Sequence, residues 1–194
     1  MKVVFHEDFN NVYTSDPAAA SGRMESIVET IEPHVEFVPA EPALREHIAA
    51  VHTDMQIQRV ENQGLYDIAS LAAGGAIQAA QIGLSEPCFG LIRPPGHHAS
   101  AGSSWGFCYF NNMAVALEAL RRQKKIESAC VLDIDLHFGD GTVNILGQRN
   151  WVTVVNVEDH NRSRYLQAVK KTMKHCQADL IGISAGFDNH SADW

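Results

Sequence analysis

Six short apolar runs, separated by longer segments with helical periodicity, constrain the fold of this 194-residue chain. The runs are continuous rather than alternating, which is typical of strands buried on both faces of a parallel sheet. Parallel strands need crossover connections, and six helical patterns lie between the runs. The sequence therefore predicts one α/β domain over residues 1–194, a three-layer α/β/α arrangement with a mostly parallel central sheet. Predicted strands lie at 2–5, 34–38, 88–92, 128–132, 152–155 and 180–184, and predicted helices at 22–31, 42–50, 54–61, 65–82, 112–124 and 164–176.

The composition excludes several classes of protein. The net charge of −8 disfavours direct binding to nucleic acid and suits a cationic partner. No apolar run approaches the roughly 20 residues that span a bilayer, and the N-terminus lacks a signal-peptide pattern. We therefore expect no membrane association and a cytoplasmic location. The four cysteines form no C-x-x-C pair and are interpreted as reduced, mostly buried thiols.

Histidine and aspartate residues follow three of the predicted strands directly. In a parallel sheet the carboxyl ends of the strands lie at one edge, so these three loops are expected to meet there. We treat the group as the candidate functional site. Its members are His97 and His98 after the third strand, Asp133, Asp135 and His137 after the fourth, and Asp188 after the sixth.

One imidazole and two carboxylates in this group have the composition of a catalytic metal site. Asp133, Asp135 and His137 are spaced i, i+2, i+4, so their side chains share one face if the strand continues through them. Neighbouring buried carboxylates cost several kcal/mol unless a cation compensates. His137, Asp135 and Asp188 would bind zinc and leave a fourth position for water. Metal-assisted hydrolysis is the predicted reaction class.

The two adjacent histidines are candidates for acid–base catalysis. A catalytic histidine needs an orienting carboxylate, and two aspartates, Asp133 and Asp140, are left after the metal ligands are assigned. The following glycine-rich segment 102–107 lacks the lysine of a phosphate-binding loop, so we interpret it as a pocket wall. Phe107 and Trp105 there are either channel residues or ordinary core.

Four ordered motifs carry a resemblance to a known family. They are Arg-Pro-Pro-Gly-His-His at 93–98, Trp-Gly-Phe-Cys-Tyr-Phe-Asn-Asn at 105–112, Asp-Ile-Asp-Leu-His-Phe-Gly-Asp-Gly at 133–141 and Ser-Ala-Gly-Phe-Asp at 184–188. Together they resemble the histone deacetylase and acetylpolyamine amidohydrolase superfamily, in its bacterial or archaeal form. The resemblance implies an arginase-like α/β/α fold and zinc-dependent hydrolysis of acetyl-lysine or an acetylated polyamine.

The resemblance also implies a role for each site residue. One zinc ion per chain would be bound by the three ligands named above, and a potassium ion beside Asp133 is allowed. His98, oriented by Asp140, would be the general base and then the general acid. His97, paired with Asp133, would be an electrostatic partner.

The substrate tunnel and the end of the chain are the places where the sequence departs from that family. Phe107 matches an aromatic wall of the tunnel and the Gly106 carbonyl an acceptor for the substrate amide, but segment 158–161 replaces the loop that supplies a second aromatic. We expect a wider or more acidic opening. The chain ends at Trp194, before the family's Gly-Gly-Tyr segment, and lacks the tyrosine that stabilises the oxyanion. Losing such a donor costs about 10²–10³ in rate, and we expect these residues to be part of a longer polypeptide.

Two other functions are left open by the sequence. A dimanganese ureohydrolase-like enzyme would need further aspartates beside Asp135 and Asp188, and 186–190 lacks them. A catalytically weak protein that binds acylated amines would keep the pocket without turnover. The sequence also leaves open whether the metal is zinc or iron and whether the substrate is a protein or a polyamine. It allows a homo-oligomer as well.

Overall fold

Six parallel strands form at the predicted apolar runs and pair as two three-stranded sheets. The computed structural model describes residues 1–159, 161–188 and 190. The strands are β1 (Lys2–Phe5), β2 (Glu36–Pro39), β3 (Cys88–Gly90), β4 (Ala129–Asp133), β5 (Val152–Asn156) and β6 (Leu180–Ser184). The order is β2-β1-β3 in one sheet and β5-β4-β6 in the other, and every pairing is parallel.

The sequence predicted a mostly parallel central sheet, and the structure divides the six described strands into two parallel sheets. Within the described residues, β3 pairs only with β1 and β6 only with β4. Apolar runs predict that strands exist and are buried, whereas the neighbours of each strand are decided by packing.

The central strands of the two sheets, β1 and β4, are covered on both faces, whereas Ile181 and Ile183 of the edge strand β6 are 44% and 57% exposed. Val3 and Val4 point to opposite faces of β1, and both are 0% exposed. They share a hydrophobic cluster with Met24 and Leu71, which lie on two different helices. All five residues of β4 are buried as well. This burial explains the continuous apolar runs and gives the predicted three-layer α/β/α fold.

Seven α-helices are present in the described part of the chain, one more than the sequence predicted. They are α1 (Arg23–Ile31), α2 (Arg45–Ala49), α3 (Asp54–Asn62), α4 (Tyr66–Gly83), α5 (Asn112–Arg122), α6 (Asp140–Leu146) and α7 (Arg162–His175), with short 3-10 turns at Glu7–Asn10, Pro17–Ala19 and Glu32–His34. The extra helix, α6, has seven residues, among them glycine, threonine, valine and asparagine, which are weak helix formers. None of these described helices is long and apolar enough to cross a membrane.

Side chains cap the N-termini of two helices. Asn111 accepts a hydrogen bond of 3.0 Å from the Ala114 N–H at the start of α5. Thr53 accepts one of 3.3 Å from the Gln56 N–H at the start of α3. The Gln56 side chain does not return to this helix end but donates to Ser104 Oγ and to the Tyr109 carbonyl in the loop 104–109.

A buried arginine ties the N-terminal segment to the loop that carries the two histidines. Arg93 is 4% exposed and donates hydrogen bonds to five backbone carbonyls between residues 9 and 20. Its side chain also lies against the Tyr13 ring, 5.8 Å from the ring centre. The segment 9–20 and the start of the histidine loop therefore form one connected wall beside the site.

Candidate functional site

The carboxyl ends of β4 and β6 bring three predicted metal ligands together. Asp133 at the end of β4 is paired in register with Ser184 at the end of β6. The strand does not continue through the next four residues but ends at Asp133. His137 Nδ1 then lies 3.3 Å from Asp135 Oδ1 and 2.9 Å from Asp188 Oδ2. One ligand atom from each of these three residues lies within 4.8 Å of the other two.

This donor set fits one small cation. Ligand atoms bound to a tetrahedral zinc ion at about 2.0–2.2 Å lie roughly 3.3–3.6 Å from one another, which is comparable to the 3.3 Å and 2.9 Å between His137 Nδ1 and the two carboxylates. The side chains of Asp135 and Asp188 are only 12% and 15% exposed, so two carboxylates share a poorly solvated space. Such a pair is costly without a compensating cation. His137 is 49% exposed and lies on the solvent side.

The main chain holds these ligands in place. Asp188 Oδ1 accepts a hydrogen bond of 2.9 Å from the Leu136 N–H, and Asp135 Oδ1 accepts one of 2.8 Å from the His137 N–H. Gly186 is needed for this packing, because a Cβ atom there would lie 2.1 Å from Asp135 Oδ2. The loops after β4 and β6 are therefore locked together through the ligands themselves.

Each histidine of the 97–98 pair contacts its own aspartate. His97 Nδ1 lies 3.1 Å from Asp133 Oδ2, and His98 Nδ1 lies 2.7 Å from Asp140 Oδ1. The side chains of His97 and Asp133 are 9% and 1% exposed, whereas Asp140, at the start of α6, is 43% exposed. The structure thus places the His97–Asp133 and His98–Asp140 pairs side by side, one deep and one near the surface.

The surroundings shift the pKa values of the two imidazoles in opposite directions. Burial lowers the pKa of His97, but the hydrogen bond and negative charge of Asp133 outweigh it, and the net pKa is raised. Burial also lowers the pKa of His98, and here the hydrogen bond to Asp140 does not compensate, so the net pKa is lowered. At neutral pH His98 therefore favours the neutral form, which is the form that accepts a proton.

The loop 104–109 folds over His98. Gly106 and Phe107 both have positive φ angles, +55° and +47°. A Cβ atom on Gly106 would lie 2.8 Å from His98 Cδ2, so only glycine allows the loop this close. The Gln56 amide donates to Ser104 Oγ and to the Tyr109 carbonyl, each at 3.0 Å, and thereby clamps both ends of the loop.

Phe107 lines an open surface cleft that none of the predicted metal ligands borders, and neither does His97 or His98. The cleft has a volume of about 470 Å³, and Trp105, Tyr109, Asp16 and Arg59 line it as well. Trp105 is 55% exposed, so it is not an ordinary core residue, and the channel role of Phe107 stays a prediction. The Gly106 carbonyl stays a predicted acceptor.

In segment 158–161, expected to make the opening wider or more acidic, the Asp159 carboxylate is paired. Arg164 binds the Asp159 carboxylate through Nε at 2.7 Å and through Nη2 at 3.0 Å. Asn161 caps α7 by accepting from the Ser163 N–H at 3.1 Å. His160 lies outside the described residues. The bidentate ion pair neutralises Asp159, whereas Glu158 is exposed, so a wider or more acidic opening stays a prediction.

Sequence reasoning missed His52, which supports the site from behind. His52 is 4% exposed, its Nδ1 lies 3.1 Å from the Ser100 carbonyl, and its Nε2 accepts a 2.9 Å hydrogen bond from the Asn111 N–H. It bridges the histidine loop to the start of α5. A single histidine before a helix cap has no recognisable pattern. Gln56 was missed as well: its place on the buried face that contains Ile57 and Val60 marks it as a buried polar residue but does not reveal its partners.

Comparison with known proteins points to one family. Residues 17–165 match the model of the histone deacetylase domain. A probable deacetylase of Archaeoglobus fulgidus is 36% identical over 175 residues, which cover 74% of this chain and 47% of the relative. A probable deacetylase of Methanothermobacter thermautotrophicus is 32% identical, covering 89% and 69%. A histone deacetylase-like amidohydrolase of Pseudomonas aeruginosa is 27% identical, covering 91% and 64%.

The fold comparison agrees. The HD domain of HDA15, known from a crystal structure, superposes with a TM-score of 0.86 over 100% of this chain and 76% of that domain, at 20% identity. The fold is therefore the three-layer deacetylase fold. The chain spans 47% and 64% of the lengths of two of its relatives, so it corresponds to part of their length.

Proposed function

Because this chain belongs to the histone deacetylase family, we propose that it takes part in the zinc-dependent hydrolysis of an acetyl-amide bond. The observation that carries the proposal is the convergence of a three-ligand donor set with two histidine–aspartate pairs. The three donor atoms lie within 4.8 Å of one another, and His97 Nε2 lies 3.9 Å from Asp135 Oδ1. Metal ligands and acid–base groups thus border one small space.

The proposed metal is zinc, bound by Asp135, His137 and Asp188. Two carboxylates and one imidazole at this spacing suit zinc and leave room for a further ligand. When bound, zinc would polarise the acetyl carbonyl and lower the pKa of a water molecule toward about 7. For potassium beside Asp133 the contacts provide no separate support, since both carboxylate oxygens and the carbonyl already accept hydrogen bonds.

The proposed proton carrier is His98. Its Nδ1–H donates to Asp140, which leaves Nε2 as the acceptor for a proton from the attacking water. The same nitrogen then returns the proton to the amine as the amide C–N bond breaks, which yields acetate and a free amine. His97, whose pKa is raised beside Asp133, would contribute positive charge toward the developing oxyanion.

The proposed substrate is a cationic acetylated amine, either an acetyl-lysine side chain or an acetylated polyamine. The net charge of −8 favours the approach of such a substrate. The loop that carries Phe107 folds over His98, so this ring would border the alkyl chain of such a substrate. Both substrate classes share the acetylated aminoalkyl group, so a panel of acetyl-lysine peptides and acetylpolyamines decides between them.

Metal analysis and an acetyl-lysine assay on two variants test the proposal. Asp188→Ala should lose zinc and turnover, because one of three protein ligands is gone. His98→Ala should keep zinc and lose at least about 10² in kcat, because the base is gone. His34→Ala and Asp8→Ala are matched controls, since both residues are exposed and outside the site.

Three results would contradict the proposal. Unchanged turnover in His98→Ala or Asp188→Ala would remove the assigned roles. Two manganese ions per chain would indicate a ureohydrolase-like enzyme. Binding of acetyl-lysine without turnover, in a chain that holds zinc, would indicate a protein that only binds acylated amines.

A further inference from the structure

The indole of Trp105 lies directly against the His98–Asp140 pair. Its Nε1–H donates a hydrogen bond of 2.9 Å to Asp140 Oδ2, while His98 Nδ1 lies 2.7 Å from the other oxygen, Oδ1. The indole ring also stacks on the His98 imidazole, with ring centres 3.7 Å apart and planes inclined by 29°. One side chain therefore contacts both members of the pair.

The two orienting carboxylates are held in different ways. Asp133 is 1% exposed, and its second oxygen accepts a 3.1 Å hydrogen bond from the Asp135 N–H. Asp140 is 43% exposed, so water competes for its oxygens. The Gly141 main chain supports Asp140, but the side-chain donor to its outer oxygen is Trp105. Asp133 is therefore fixed by burial and a main-chain hydrogen bond, whereas the outer oxygen of the exposed Asp140 is fixed by the indole of Trp105.

Apolar burial does not explain the position of Trp105, because its side chain is 55% exposed. The loop on either side of it is tied down instead. Ser104 is held by the Gln56 amide at 3.0 Å, and Gly106 turns the backbone with a φ of +55°. An exposed indole that is fixed by its neighbours and bonded to a carboxylate has the features of an orienting group.

We propose that Trp105 is a positioning residue, which keeps Asp140 and His98 in the orientation that proton transfer requires. The inference rests on the proposed function of His98 as general base. Trp105→Phe keeps a ring over the imidazole and removes the N–H donor. Asp140 can then rotate, and His98 spends less time in the productive orientation. Because the lost bond is to a charged group, we expect kcat to fall roughly tenfold with KM unchanged.

The first test needs neither metal nor turnover. The chain has three tryptophans, so a ¹H–¹⁵N spectrum contains three indole N–H peaks, and Trp105→Phe identifies the one that matters. Asp140→Ala should move that peak and leave the peak of Trp151 in place, while the exposed control Asp8→Ala should move neither. A Trp105 peak that does not respond to Asp140→Ala would overturn the proposal. Because turnover is not measured, this result stands apart from the success of the proposed function.

The second test compares kinetic constants in the chain with its metal bound. Trp105→Phe should lower kcat while the thermal midpoint stays that of the unsubstituted chain, and Trp151→Phe should leave kcat unchanged. A rise in KM without a change in kcat would overturn the proposal, because it would make Trp105 part of the cleft wall only. An unchanged kcat and KM would overturn it as well.

Discussion

Replacing Gln56 with methionine tests whether one buried amide holds the loop over the candidate site. Gln56 is 0% exposed, and its Nε2 donates to Ser104 Oγ and to the Tyr109 carbonyl, each at 3.0 Å. Its Oε1 accepts a hydrogen bond of 3.0 Å from Arg59 Nη1. Methionine has a similar length and volume, so the packing is kept while all three hydrogen bonds are lost.

The expected destabilisation follows from these contacts. Three hydrogen bonds at about 1 kcal/mol each contribute about 3 kcal/mol to the free energy of unfolding. The Tyr109 carbonyl, left without this donor, adds to the loss, and the extra apolar surface of methionine offsets part of it. A change of about 3 kcal/mol corresponds to a fall in Tm of roughly 6–12 °C for a domain of this size.

Urea unfolding, followed by circular dichroism and tryptophan fluorescence, measures this change. Gln58→Met is the matched control, because Gln58 lies on the same helix, is exposed and donates only to Asn62 at 3.1 Å. The control should change the free energy of unfolding by no more than about 0.5 kcal/mol. A loss below about 1 kcal/mol for Gln56→Met, or an equal loss for Gln58→Met, would refute the reasoning.

Two further perturbations test the support of the site. Burial lowers the pKa of His52 from 6.5 to about 4. As the pH falls, His52 is therefore protonated in the unfolded chain before it is protonated in the folded one, and the stability present above pH 6.5 is lost toward pH 4. Between neutral pH and pH 4 the free energy of unfolding should therefore fall by roughly 3 kcal/mol more in the unsubstituted chain than in His52→Gln. The same pH dependence in both proteins would contradict this prediction. Gly106→Ala should lower kcat at least about tenfold, because the added Cβ pushes into His98. Gly64→Ala has a similar positive φ and no neighbour within 4 Å, so an equal loss of activity there would show that backbone strain alone is responsible.

Local patterns were sufficient to predict most of the elements. The strand at Leu180–Ser184 and the start of α5 at Asn112 agree with the predicted bounds, because buried runs and asparagine caps act over a few residues. Helix α6 was not predicted, since its residues have low helix propensity and it packs against α5 and β5. The division of the strands into two sheets was also beyond the pattern.

The same distinction holds at the candidate site. Asp135, His137 and Asp188 were recognisable from their residue types and from their place after parallel strands. The functions of Gln56, His52 and Trp105 were not, because each depends on a contact between residues at least 35 positions apart in the chain. No periodicity within one element reports such a contact.

The sequence by itself determined the parallel α/β class and the presence of histidine and aspartate directly after three strands, because burial pattern and the alternation of strands with helices can be read along the chain. The histidines follow β3 in one sheet and the aspartates follow β4 and β6 in the other, so packing brought the two groups together. Tertiary structure alone decided the rest. The close approach of Gly106 to His98, the clamp by Gln56 and the indole bond from Trp105 to Asp140 exist because loops distant in sequence are packed within van der Waals and hydrogen-bonding distance. These contacts give the histidine pair its two different environments.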